Sequence, residues 1–308
     1  MRPLLFYLIA MAGAHLVDYS RRKKRKHIEL TKVSHLPAIS ENDIVIKGSS
    51  LKLVEEDLEL ILEKRFHYFQ QLHSPLKPIF IKKLSSFMAG KVFIIKDNNG
   101  FREMPVLVSA AAIQLCFGLK DHTLPFYKYI RIYPSEYIGN HNFKILAGNV
   151  QGNVITVAWN HLLDGLANAK DGKNLGLHEM SHALYFQKLV IEENYAASFS
   201  RKYKKLVEEC SKAHVDESMG IRDVYSNYAL TNLQEFWAES VELFFERPSH
   251  LQEHYPEIFM AMKLLLNQNP LHPGNPVLRS GIPVEVRFNK IAGYIKKGLA
   301  SLTRLHES

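Results

Sequence analysis

Apolar residues in this chain fall into three successive rhythms. From Val54 to Leu72 the positions Val54, Leu58, Ile61, Leu62, Phe66 and Phe69 recur at intervals of three and four, which predicts one amphipathic helix. Pro78 opens a second helical pattern carrying Ile79, Phe80, Leu84 and Phe87. Val106 to Leu119 is almost wholly apolar and alanine-rich, so it predicts a helix buried on most sides. Between about 128 and 158 the rhythm shortens. Tyr129–Tyr133, stopped by Pro134, and Val154–Trp159, entered through Gln151-Gly152-Asn153, predict strands. Helical periodicity then resumes to about 268 and ends at Asn269-Pro270. Helices, then strands, then helices predict an α+β fold, mostly helical with a small mixed sheet.

Outside these segments the polar stretch 28–52, with Pro37, Gly48, Ser49 and Ser50, reads as a linker. His272–Pro276 reads as a second one. The predicted organisation is therefore an N-terminal piece 1–27, a linker 28–52, a catalytic domain 53–270 and a C-terminal extension 271–308. In the extension Phe288, Ile291, Ile295, Leu299 and Leu302 form a stripe flanked by Arg287, Lys290, Lys296, Lys297 and Arg304. A basic amphipathic helix of this kind packs on its own domain or lies on an anionic membrane.

Composition changes this picture little. The 308 residues are 46% hydrophobic and 23% charged, which excludes a fibrous or wholly disordered chain. Two cysteines, Cys116 and Cys210, exclude a disulfide framework or a cysteine-based zinc cluster. Charge changes it more. The formal net charge is +8, and Arg21, Arg22, Lys23, Lys24, Arg25 and Lys26 supply six of it in one run. Directly ahead lies the apolar stretch Leu4–Val17. A secretory signal would use Arg2 and a cleavage site near Ala12-Gly13-Ala14, but cations behind an apolar core oppose translocation. A domain helix or tail followed by a solvated charge run is another reading. A short signal-anchor fits better, with the basic run held in the cytoplasm against anionic lipid and the domain at the inner face of the membrane. The run lacks interleaved aromatics, so nucleic acid is not expected as a partner.

The chemistry concentrates in two segments. Residues 178–182 read His-Glu-Met-Ser-His, and on a helix His178 and His182 project from one face at the spacing that lets two imidazoles share a zinc ion. Glu179 between them is placed to take a proton from a water acidified by the metal. A catalytic zinc needs a third ligand from another element. Glu235, Glu239 and Glu242 fall at i, i+4 and i+7 of a helical segment, and spacing alone does not choose among them. Glu242 and Glu246 read as solvated.

Together, His178–His182 and Glu235-Phe236-Trp237-Ala238-Glu239 resemble the MtfA-like, glucose-regulated zinc metallopeptidases and, more distantly, the catalytic domain of anthrax lethal factor. Further landmarks are Leu60–Tyr68, Ile132–Glu136, Ala158-Trp159-Asn160, Phe245–Pro248, Tyr255-Pro256 and Asn269-Pro270, so the resemblance covers residues 54–270. It implies a zincin-like domain holding one Zn2+ per chain, with Glu235 as third ligand and Glu239 supporting the site from behind. It implies Tyr228, seven residues ahead of Glu235, as oxyanion donor, with Tyr225 its nearest rival. The implied activity is peptide hydrolysis, of aminopeptidase type on short substrates, with a peptide or protein as substrate; a protein regulator is a further expected partner. Substrate is expected along a sheet edge within 144–158. One position departs from the pattern: after His182 the family continues Lys-Leu-Asp, whereas this chain reads Ala183-Leu184-Tyr185. That departure motivates a second reading, a zinc-containing regulatory protein with little turnover.

Overall fold

Short strands pair into a five-stranded mixed sheet, and helices pack around it through their apolar faces. A computed structural model describes residues 39–96, 102–139, 144–188 and 197–278. In chain order the main elements are β1 (Ile44–Lys47), α1 (Glu55–Arg65), α2 (His67–Gln71), α3 (Lys77–Ala89), β2 (Val92–Ile95), α4 (Glu103–Cys116) and β3 (Tyr129–Tyr133). A two-stranded ribbon follows, β4 (Tyr137–Ile138) with β5 (Ile145–Leu146), then β6 (Gly148–Gln151) and β7 (Val154–Ala158). The rest is helical: α5 (Trp159–Ala167), α6 (Leu175–Phe186), α7 (Ala197–Ser218), α8 (Leu233–Glu246), α9 (Pro248–His254) and α10 (Pro256–Leu266).

The sheet order is β1-β2-β3-β7-β6. The middle strands β2, β3 and β7 run parallel, in register Ile95 to Ile132 to Val157, while β1 and β6 close the two sides antiparallel. Parallel strands need both faces covered. Phe93, Ile130, Ile132, Ile155 and Val157 fill one face and are all buried; on the other face Ile94 and Thr156 are buried while Tyr129, Arg131 and Tyr133 are half-buried.

Several expectations shift here. The stretch assigned to a linker, 28–52, contains β1, whose Ile44 and Val45 pair with Ile95 and Ile94. Four residues are too few to carry a visible alternation. His272–Pro276 is likewise bonded back, His73 N donating to Gly274 O at 2.8 Å and Asn269 N to Pro276 O at 2.7 Å. The single helix expected over 54–72 is two, broken at Phe66, whose extended backbone (φ −121°, ψ 95°) turns its ring into the core against Phe80. Burial of that ring and of Phe69 outweighs continuation of the helix. Helix α4 matches its expectation: every residue from Met104 to Cys116 is buried.

The described elements belong to one unit, which ends at Pro276. Among the described residues no helix is long and apolar enough to cross a membrane. The apolar segment 4–17, the basic run 21–26 and the stripe 287–304 lie outside the described residues.

One buried cation joins helix to loop. The ammonium of Lys91, a 2% exposed residue, donates to Thr123 O, Leu124 O and Tyr127 O at 2.7, 2.8 and 2.7 Å and lies 4.4 Å from the Phe87 ring centroid. Its three protons meet three acceptors of the segment that leads from α4 into β3. Lys91→Met removes all three donors, so Thr123 O and Tyr127 O lose this partner while Leu124 O keeps Tyr127 N. The expected loss is about 3 kcal/mol of unfolding free energy, read by denaturant titration.

Candidate metal centre

Helix α6 is capped by Asn174, whose side chain accepts from Leu177 N at 3.0 Å. Gly176 in its first turn lets it press on its neighbours, since a Cβ there would stand 2.8 Å from Ala111 Cβ and 2.9 Å from Leu162 Cδ1. Helix α8 is capped by Asn232, which accepts from Gln234 N and Glu235 N at 2.9 and 3.1 Å. The two helices pack side by side, and Trp237 Nε1 of one donates to Ser181 O of the other at 3.1 Å.

This packing brings His178, His182 and Glu235 together. His178 Nε2 lies 3.2 Å from His182 Nε2 and 3.1 Å from Glu235 Oε2, and His182 Nε2 lies 3.4 Å from the same oxygen. A tetrahedral zinc site with arms of about 2.0–2.1 Å has ligand-to-ligand edges of roughly 3.3 Å. The triangle therefore has the size a zinc ion needs, and its donors, two imidazoles and a carboxylate, are those zinc takes. The field agrees. Burial opposes protonation of His178, yet the Glu235 and Glu242 carboxylates outweigh it and hold the imidazole well above the usual histidine range. Burial likewise opposes ionisation of Glu235, and the two histidines bring it down to about 2. This pocket attracts positive charge.

Glu179 stands beside the triangle and is not one of its corners. Its side chain is buried and Oε2 has no hydrogen-bond partner among the described residues. Burial, opposed by His178 and His182, pushes its carboxyl up to about 7. It lies so close to β6 that a Cβ on Gly148 would come within 2.4 Å of Glu179 Oε1. Strand β6 is thus both the outer strand of the sheet, paired only with β7 among the described residues, and the wall facing Glu179. Of the stretch 144–158, β6 is the strand at the edge of the five-stranded sheet; β7 is interior to it and β5 pairs with β4 in the ribbon.

Tyr228 is 60% exposed, with its ring centroid 6.3 Å from that of His178. Partial burial and the Glu235 and Glu179 carboxylates push the phenol up to about 12, so it remains a donor at neutral pH. Its rival Tyr225 points into the core, bonded to Ser240 Oγ at 2.9 Å and stacked on Phe236.

The other glutamates depart from expectation. Glu239 touches neither histidine; it accepts from Ser226 N and Ser226 Oγ at 2.7 and 2.6 Å and so anchors the loop that carries Tyr228. The carboxylate behind His178 is Glu242, whose Oε1 lies 2.8 Å from His178 Nδ1 while Oε2 accepts from Asn174 N. Glu246, one turn on, accepts from Gly172 N, Lys173 N and Asn174 Nδ2 at 3.0, 3.1 and 2.8 Å, and burial pushes it up to about 8. The reading of Glu242 and Glu246 as solvated is wrong, since each is only 7% exposed. Their spacing from Glu235 was the available signal: i+7 and i+11 return to the face that meets α6. Tyr185, at the position where an aspartate was expected, packs on Tyr203 at 5.4 Å between centroids.

A family model for the glucose-regulated metallopeptidases M90 matches residues 47–266. An uncharacterized protein of Synechocystis sp. is 23% identical over 238 residues, which cover 69% of this chain and 84% of that protein. The matched span runs from the end of β1 to the end of α10 and contains the whole His178, His182 and Glu235 triangle. With most of its length inside that span and its histidine–glutamate triangle between α6 and α8, the chain belongs to the glucose-regulated metallopeptidase family M90, a family of zincin-like peptidases.

Proposed function

We propose that this chain is a zinc-dependent peptidase of the gluzincin type, with His178, His182 and Glu235 holding one zinc ion. The observation that carries the reading is the triangle of donor atoms with edges of 3.1, 3.2 and 3.4 Å and a buried carboxylate beside it. When bound, zinc polarises a scissile carbonyl and makes water acidic enough to attack near neutral pH. Glu179 removes a proton from the attacking water and passes it to the leaving amine. The Tyr228 hydroxyl donates to the carbonyl oxygen as negative charge develops there, a contact of a kind worth about 2.7–4 kcal/mol of barrier. Glu239 keeps that hydroxyl in range by fixing Ser226. An extended peptide adds to the open side of β6, so that backbone bonds position it across Glu179.

Aminopeptidase action on short peptides belongs to this reading through the family resemblance. So does a cytoplasmic domain held at the inner membrane face by residues 1–27, which the apolar and basic pattern of that segment supports. The alternative, a zinc-containing regulatory protein with little or no turnover, rests on the missing aspartate after His182. Glu242 gives His178 an acidic partner from another helix, which favours the enzyme.

Metal analysis of the purified full chain should give one zinc per chain. Hydrolysis of a mixed peptide library should vanish with a chelator and return with zinc. Hydrolysis that survives complete zinc removal, or a chain that binds zinc and cleaves no peptide, overturns the proposal.

A further inference from the structure

Away from the zinc triangle, a cavity of about 390 Å³ opens where the end of α8 and the start of α9 meet α2. That volume lies in the range of small-molecule sites. Its wall carries four basic side chains, His67, Lys170, Arg247 and His250, and aromatic surface from Tyr68 and Phe245. Among the described residues neither Arg247 nor Lys170 forms an ion pair. The acid in the wall, Glu246, is held by Gly172, Lys173 and Asn174 rather than by either base, and burial pushes its carboxyl up to about 8, so it is mostly uncharged at neutral pH. Burial, aided by the charges of Arg247 and His254 and opposed by Glu253, holds His250 below the usual histidine range, so it adds no charge at neutral pH. Two cations without an ion-pair partner, Arg247 and Lys170, on the wall of a concave space raise the local concentration of anions.

We propose that this cavity is a second binding site, for a small organic anion whose phosphate or carboxylate is met by Arg247 and Lys170 and whose body rests on Tyr68 and Phe245. Arginine suits either headgroup because its planar fork bonds two oxygens at once. The proposal does not depend on peptidase activity. It does bear on the metal centre: Glu246 in the cavity wall holds Asn174, Asn174 caps α6, and Glu242 joins Asn174 to His178. A ligand against Glu246 therefore touches the support of the first zinc histidine.

The test is isothermal titration of the zinc-loaded full chain, at matched ionic strength, with phenyl phosphate, benzoate, inorganic phosphate and uncharged benzyl alcohol. One or both aromatic anions should bind saturably at one per chain and more tightly than inorganic phosphate; which of them binds distinguishes a phosphate from a carboxylate ligand. Arg247→Gln should weaken binding by about tenfold, the scale of one charge-assisted hydrogen bond. Lys170→Gln, at an exposed position that the fold does not depend on, should weaken it in the same direction. Zinc content should stay unchanged in both. Three results overturn the proposal: no saturable binding of either anion, affinity that survives both substitutions and so places the anion elsewhere, or equal binding of benzyl alcohol.

Discussion

Glu179→Gln is expected to leave zinc binding intact and to lower peptide hydrolysis by about 10²–10⁴-fold, the range for loss of a positioned general base. The separation of the two effects follows from geometry. Glu179 contributes no corner of the donor triangle, so its replacement leaves all three ligands in place. The amide also fits where the carboxylate stands, against Gly148, because the two groups have nearly the same shape. It lacks the basicity to take a proton. Stability should move the other way. Burial raises the Glu179 carboxyl from its ordinary 4.5 to about 7, so the folded, metal-free chain holds this proton more tightly than the unfolded chain does. Folded-state stability from this group is present below the unfolded value and is lost as pH rises through about 7. At pH 8 the wild type therefore carries a buried, poorly paired charge that glutamine does not. The metal-depleted variant should melt at the same temperature as metal-depleted wild type, or higher. Zinc analysis, initial rates and melting curves on the same preparations check all three statements; wild-type turnover with zinc bound removes Glu179 from the mechanism.

What the sequence disclosed and what it hid divide along the range of the interaction. The spacing of His178 and His182 is local, because four residues on a helix fix a common face whatever packs against it. The buried helix α4 was legible for the same reason, as its apolar run admits no solvent face. Strands β1 and β6 were not. Each is four residues long, and what makes it a strand is a partner elsewhere, Val92–Ile95 for one and Val154–Ala158 for the other. The role of Gly148 was hidden too, since nothing near it in sequence shows that a buried glutamate stands against it. Among the glutamates of α8 the periodicity placed Glu235, Glu239 and Glu242 on one side, and only family resemblance selected Glu235. Whether a carboxylate on that side meets water or another helix is a tertiary fact, and at Glu242 the helix wins.

Glu242→Gln should therefore weaken zinc binding although Glu242 is no ligand. Its two oxygens do different work: one accepts from the Nδ1 side of His178, the other from Asn174 N at the start of α6. With a carboxylate behind it, His178 has its Nδ1 proton fixed, so Nε2 is free to face the metal, and the negative charge makes that nitrogen a better donor. Glutamine has one acceptor where glutamate has two. If its oxygen serves His178, its amide group faces Asn174 N, donor against donor; if it turns over, the conflict moves to the histidine. Either rotamer also removes the charge. Zinc affinity is expected to fall by about 10–100-fold, the range for loss of such outer partners, and thermal stability to fall with the unpaired donor by about 1–3 kcal/mol. Competition against a fluorescent zinc chelator reads the first effect, and denaturant titration of the metal-free chain reads the second. Glu239→Gln serves as the contrast. It sits one turn nearer Glu235 but bonds Ser226, so it should keep wild-type zinc affinity and lose turnover through Tyr228. Equal zinc affinity in wild type and Glu242→Gln would return the supporting role to Glu239, the residue that the family resemblance first assigned to it.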